Sequence, residues 1–186
     1  NWMRAWEGFS HEDWRYIMMK GKTNNKFQYF IVDFGSIHLI PTLCVYMALL
    51  PMIYALTYPG NELNNLDMLA VFLAIAAVII QIISDQQMFN FRKNISKPET
   101  MKSGLWFYSR HPNYFGEILF WFSLFIFALA ANFNFAWLLI GTLIMYALIA
   151  IASVSMMDKR SLERRPDFKE YMDTTPAIFI NVFKRG

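Results

Sequence analysis

Residues 66–89 read LDMLAVFLAIAAVIIQIISDQQMF, an apolar run whose ionisable side chains, Asp67 and Asp85, lie toward its two ends. Wound as a helix at about 1.5 Å per residue, it is long enough to cross the roughly 30 Å hydrocarbon core of a bilayer. Three other stretches qualify, residues 34–58, 114–131 and 135–156, the second of these only just. Pro41 and Pro51 fall inside the first, where helical neighbours accommodate a kink better than water does. Composition agrees: 56% hydrophobic and 18% aromatic residues, with a mean hydropathy of +0.28, exceed what a soluble core of 186 residues needs to bury. The expectation is an all-α, polytopic transmembrane helical bundle with four spans, short connections and a single domain over residues 1–186.

The basic residues fall on one side of that arrangement. Arg4, Arg15, Lys20, Lys22 and Lys26 precede the first span, and Arg92, Lys93, Lys97, Lys102 and Arg110 lie in the second connection. Lys159, Arg160, Arg164, Arg165, Lys169, Lys184 and Arg185 lie in the tail. These are all 17 Lys and Arg residues of the chain; the other two connections, residues 59–65 and 132–134, have none. The bias predicts both termini and the second connection on the cytoplasmic or matrix side, with Lys97 and Lys169 reachable from one face and Asn64 from the other. Contact with anionic membrane lipids accounts for most of the basic tail, and nothing in the pattern asks for nucleic acid. The net charge of +3 says less than its placement.

Cys44 stands alone in the first span as a small hydrophobe, with no disulfide or metal-ligand spacing around it. His38 reads as a satisfied intramembrane polar residue rather than a ligand, and His11 has no evident role. The chain opens at Asn1 without an initiator methionine or a cleavable signal peptide, so it reads as processed or partial.

Residues 104–117 read GLWFYSRHPNYFGE, a cluster of polar and ionisable groups at the start of an apolar run. In lipid such groups are costly unless they are paired or line a cavity, so they point to a site. Gln81 and Asp85 are one helical turn apart, and a helix continued to Arg92 puts all three on one face. Asn113 and Glu117 repeat the amide and carboxylate spacing. One such pair alone is as readily helix glue. Two pairs flanking a loop with Arg92, Lys93, Lys97, Lys102 and Arg110 suggest a polar pocket with cations at its mouth, suited to a phosphorylated ligand with a polar head. No Gly-x-Gly-x-x-Gly fingerprint is present, so a nucleotide would not be held by a Rossmann domain.

The run Gly104-Leu105-Trp106-x-Tyr108-Ser109-Arg110-His111-Pro112-Asn113-Tyr114-x-Gly116-Glu117 resembles the signature of the steroid 5-alpha-reductase superfamily, in particular the branch sharing its C-terminal domain. A looser form, with a small polar residue in place of Asn113, is seen in isoprenylcysteine carboxyl methyltransferases. Glu12-Asp13-x-Arg15-Tyr16 is similar to a cytoplasmic element of the same family, so the resemblance runs from Trp2 to about Ile180, with further family helices expected upstream. It implies NADPH bound within the helices, at positions matching Gln81, Asp85, Arg92, Asn113 and Glu117. Lys102, Tyr108, Arg110 and His111 join them as the cofactor-binding set.

The implied reaction is hydride transfer to the beta carbon of a lipid or sterol-like enone, with the catalytic acid upstream of this chain. Tyr108 and Tyr114 read as packing or interfacial aromatics before catalysts. Ser153, Met157 and Ser161 stand where the steroid reductases carry Arg, His and Tyr, which argues against steroids, and Asn181 stands where the family has proline. An alternative reading is a non-catalytic accessory subunit of a larger membrane complex, such as a mitochondrial respiratory assembly. A prenylcysteine-type methyltransferase is a third, which Asn113 argues against. The membrane is the endoplasmic reticulum or the mitochondrial inner membrane.

Overall fold

Asn65–Asn94 form one uninterrupted helix of 30 residues that runs past Phe89 to include Arg92 and Lys93. Basic residues in a last helical turn complement the negative end of the helix dipole, and Lys93 lies 4.9 Å from the centre of the Phe89 ring one turn back. The structure, a computed structural model, describes residues 14, 17–18, 21, 23–58, 62–94 and 99–181. Lys97, and Glu12, Asp13, Arg15 and Tyr16 of the expected N-terminal element, lie outside the described residues.

The elements in order are α1 (Lys26–Asp33), a π-helical stretch (Phe34–Leu39), α2 (Ile40–Thr57), α3 (Asn65–Asn94), α4 (Leu105–Tyr108) and α5 (Pro112–Ala131). A 3-10 stretch (Phe133–Leu138), α6 (Leu139–Ala147), a second π-helical stretch (Leu148–Val154), α7 (Ser155–Arg164) and α8 (Phe168–Thr174) complete the chain. The fold is all-α, 82% helical, with no strand among the described residues. Four helical segments are long and apolar enough to cross a membrane: Lys26–Thr57, Asn65–Asn94, Pro112–Ala131 and Phe133–Arg164. The protein is a membrane protein of four such helices. Each begins at or before the residue that hydropathy alone marks, and polar caps carry two of them beyond the apolar runs. Asn25 Oδ1 accepts from Gln28 N at 2.9 Å to start α1, and Asn132 Oδ1 accepts from Asn134 N at 2.9 Å ahead of the last segment.

The chain divides into two compact units, Asn1–Tyr46 and Met47–Gly186. In the first, His38 Nε2 lies 3.7 Å from Asp33 Oδ2. Ile40 N–H donates to Gly35 O, five residues back. This wider turn comes just before Pro41, whose ring nitrogen has no hydrogen to donate.

In the second unit, α3 packs on α5 through a narrow stripe of small residues, with Ala70, Ala77 and Ser84 all buried at seven-residue intervals. Opposite them sits Gly116: a Cβ there would stand 2.8 Å from both Ala77 O and Gln81 Cγ, so only glycine permits this approach. Phe125, Ile126, Ala128 and Leu138 extend the core. Leu69, Phe72, Ile75 and Ile82 of α3 are exposed, as expected of a helix whose outer face meets lipid rather than water. Pro51 is buried inside the unbroken α2.

Two polar groups of contacts mark opposite ends of this unit. Asn64 Nδ2 donates to Ala130 O at 2.9 Å and Asn132 Nδ2 to Tyr58 Oη at 2.8 Å, joining the two connections that lack basic residues. Tyr54, Tyr58, Phe135 and Trp137 gather there edge to face. At the other end, Lys102 Nζ lies 3.2 Å from Asp167 Oδ2, joining the second connection to the tail.

Candidate functional site

The motif at residues 104–117 is seated on the end of α3 by two hydrogen bonds. Gly104, with φ +63°, turns the backbone so that Leu105 N–H donates to Gln87 Oε1 at 3.0 Å; a side chain at 104 would be strained and would collide with Gln87. Trp106, buried in the short α4, donates its indole N–H to Ser84 O at 3.1 Å.

The next residues are held from the opposite direction by the tail. Arg110 N–H donates to Pro176 O at 2.9 Å, Ser109 Oγ–H to Ile178 O at 2.8 Å, and Asn181 N–H to Tyr108 O at 3.1 Å. Tyr171 Oη–H donates to Trp106 O and, at 3.2 Å, to Ser109 O. Burial, against the opposing pull of Arg110 and with a smaller push from the Asp158 carboxylate, holds the Tyr171 phenol above its ordinary value, so it stays protonated and donating.

Arg110 and His111 meet a residue that sequence reasoning missed, Asp158 of α7. Arg110 Nη2 lies 3.0 Å from Asp158 Oδ2, and His111 Nε2 lies 2.8 Å from Asp158 Oδ1, with all three side chains about nine-tenths buried. Arg110 Nη1 also donates to Met172 O at 3.2 Å. Asp158 is a buried carboxylate with two partners, a joint between the motif and α7.

Of the expected cations at an open mouth, two are therefore committed to carboxylates of this chain, Arg110 to Asp158 and Lys102 to Asp167. The reason is tertiary: the tail that folds over the motif brings its own acids. Asp167 also accepts from Thr100 Oγ1 at 2.8 Å. Arg92 makes no ion pair among the described residues and is exposed. Beside it is Arg165, half-buried, whose guanidinium is held below its ordinary value by burial and then by the repulsion of Arg92, with Asp167 opposing and Arg164 adding to the effect. Arg92 and Arg165 thus present like charge at the end of α3, a juxtaposition that suits an anion.

Gln81, Asp85 and Arg92 share a face of the continuous α3, and Asn113 and Glu117 lie one turn apart on α5. Gln81 packs directly against Gly116, so the α3 amide lies at the helix crossing beside the α5 pair. Asp85 is half-buried one turn nearer the end. Asn113 Oδ1 is buried without a hydrogen-bond partner, and no cation pairs with Glu117 among the described residues. Tyr108 packs edge to face on Phe107, with ring centres 5.0 Å apart, and the Tyr114 ring lies 5.6 Å from that of His111. Asp158, Arg165 and Tyr171 lie far along the chain from the motif, and no local spacing announces them.

The family model described as a protein of unknown function, DUF1295, matches residues 2–175. "Uncharacterized protein C594.04c" of Schizosaccharomyces pombe is 26% identical over 196 aligned residues, covering 90% of this chain and 54% of that relative. The chain thus spans about half the length of the curated relative it matches. No solved structure matches it. A motif seated between α3 and the tail, within a match that takes in nearly every described residue, makes this chain a member of the DUF1295 family.

Proposed function

We propose that this membrane protein is the cofactor-binding part of an NADPH-dependent reductase that acts on a lipid or sterol-like enone, in keeping with its resemblance to the steroid 5-alpha-reductase superfamily. The observation that carries the reading is Asn113 Oδ1, an acceptor buried in the first turn of a membrane-spanning helix with no hydrogen bond among the described residues, one turn from Glu117, which pairs with no cation among the described residues. Buried polar groups are costly to leave unpaired unless a ligand completes them.

The residues present fit such a cofactor at two places. Asn113 and Glu117 would accept from the N–H groups of a carboxamide, and Arg92 with Arg165 would hold phosphate oxygens. When bound, NADPH supplies a hydride to the electron-poor carbon of the double bond. The chain's own contribution is orientation: Gly116 brings α5 against α3, so that Gln81 and the Asn113–Glu117 pair converge, and the apolar spans exclude water.

A second reading has its own support. Arg110, His111 and Lys102 are all committed to carboxylates of this chain, as in a motif retained for folding, which favours a non-catalytic accessory subunit of a larger membrane complex. Calorimetric titration of the full-length protein with NADPH, beside its melting temperature, separates the two. The reductase reading expects saturable binding that Asn113→Ala weakens by about tenfold, or 1.4 kcal/mol, at unchanged melting temperature. Lack of binding by the unmodified protein favours the accessory subunit.

A further inference from the structure

Arg92 and Arg165 stand at the ends of two spanning segments. Arg92 lies in the last turn of α3, and Arg165 caps α7, its backbone N–H donating to Ser161 O at 2.9 Å. Neither forms an ion pair among the described residues. Asp167, the acid whose charge reaches Arg165, already accepts from Thr100 on one oxygen and pairs with Lys102 on the other. Lys93 and Arg164 complement the two helix dipoles from the same last turns, so the dipoles do not explain why two further guanidiniums lie side by side. Like charges held together are costly unless an anion lies between them.

The depth of the pair and the surface below it say what kind of anion fits. Arg92 follows Phe89, the end of the apolar run, by about 4.5 Å of helix, which puts its guanidinium at the level of the lipid headgroups. Val71, Ile75, Val78 and Ile82 are exposed on α3, and steps of three, four and seven residues carry their face on to Phe89 and Arg92. From Arg92 back to Ile82 is roughly 15 Å, half of a 30 Å hydrocarbon core. The face therefore offers an acyl chain an apolar track one leaflet deep that ends at two cations. Its one acid, Asp85, is half-buried about 10 Å below Arg92.

We infer that Arg92 and Arg165 form a site for the phosphate of an anionic membrane lipid of the phosphomonoester class, such as phosphatidic acid, with its acyl chain along Ile82 and Val78. Guanidinium forks match phosphate oxygens, and a phosphomonoester carries between one and two negative charges at neutral pH, as two arginines require. The ligand reaches the pair sideways from the bilayer, along an exposed face. The inference goes beyond the reductase reading and does not need it. Where that reading holds, lipid and cofactor phosphates compete for the same guanidiniums, and the lipid regulates cofactor binding.

Native mass spectrometry of the full-length protein in detergent, titrated with dioleoylphosphatidic acid, dioleoylphosphatidylcholine or inorganic phosphate, measures the binding, with melting temperature followed on the same samples. Expected is one saturable phosphatidic acid, which Arg92→Gln and Arg165→Gln each weaken by about tenfold at unchanged melting temperature. Lys169→Gln, which removes an exposed lysine of α8, should change the affinity by less than about twofold. Phosphatidylcholine, without net charge, and inorganic phosphate, without an acyl chain, should each bind at least about tenfold more weakly. Unaltered affinity in Arg92→Gln overturns the inference, even if Arg165→Gln fails to fold. So does an equal loss in Lys169→Gln, which marks diffuse surface charge, or inorganic phosphate bound as tightly as the lipid, which marks a free-phosphate site. Failure of NADPH to bind the lipid-free protein, with the lipid arm as expected, removes the reductase reading and leaves the lipid site. NADPH binding without any binding of phosphatidic acid removes the lipid site alone.

Discussion

His111 Nε2 lies 2.8 Å from Asp158 Oδ1 although 47 residues separate them, and both side chains are about nine-tenths buried. The same carboxylate takes Arg110 on its other oxygen. A single acid thereby ties the motif to α7, and backbone hydrogen bonds from Arg110 to Pro176 and from Asn181 to Tyr108 hold the tail against the same motif.

Removing that acid is expected to cost more than any hydrogen bond it makes. Asp158→Asn leaves the Arg110 guanidinium buried without a counter-charge, a situation worth about 3–5 kcal/mol. Thermal unfolding in detergent should show a large drop in melting temperature for Asp158→Asn. Recovery is expected when Arg110 is replaced together with it by a neutral side chain of similar length, as in Arg110→Met with Asp158→Asn. A melting temperature unaffected by Asp158→Asn would show that the joint contributes nothing to the fold.

The outer clamp, Lys102 to Asp167, should respond to acid and salt. Burial alone would raise the Asp167 carboxyl, but the hydrogen bonds from Thr100 and Lys102 and the charge of Lys102 together outweigh it and hold the group below its ordinary value. A carboxyl lowered in the folded state contributes stability above its unfolded value, and this is lost as pH falls through the folded one. Lys102→Ala should therefore lower stability at neutral pH and make no difference once the pH is below both values. With the Asp167 side chain 40% exposed, the effect is expected to stay below about 1 kcal/mol and to shrink in high salt. Melting curves of the two proteins from neutral pH into the acid range, with and without salt, measure it.

Sidedness follows from the two ends of the second unit. In a background of Cys44→Ala, Lys169→Cys should react with a membrane-impermeant maleimide from the cytoplasmic or matrix side, and Asn64→Cys from the other. Reaction of both from one face would break the four-span arrangement.

Much of this arrangement was legible locally. The spans, the shared faces of Gln81 with Asp85 and of Asn113 with Glu117, and the seating of a polar motif at a helix start all depend on periods of a few residues and on the cost of polar groups in lipid. The place of Asn181 shows where that ends. Its identity is visible in the chain, but its use is not: its backbone N–H donates to Tyr108 O, across the tail's fold over the motif.

The amino-acid sequence by itself determined that this is an all-α membrane protein with four spanning helices, because hydropathy and helical rise act residue by residue along the chain. Only the tertiary structure decided which polar groups are partnered. Asp158 takes Arg110 and His111, Asp167 takes Lys102, Trp106 donates to Ser84 O, and among the described residues of the second unit Arg110 Nε and Asn113 Oδ1 are left over. Those pairings depend on how the tail and α3 cross α5, distances set by side-chain packing and by Gly116, which no local pattern encodes.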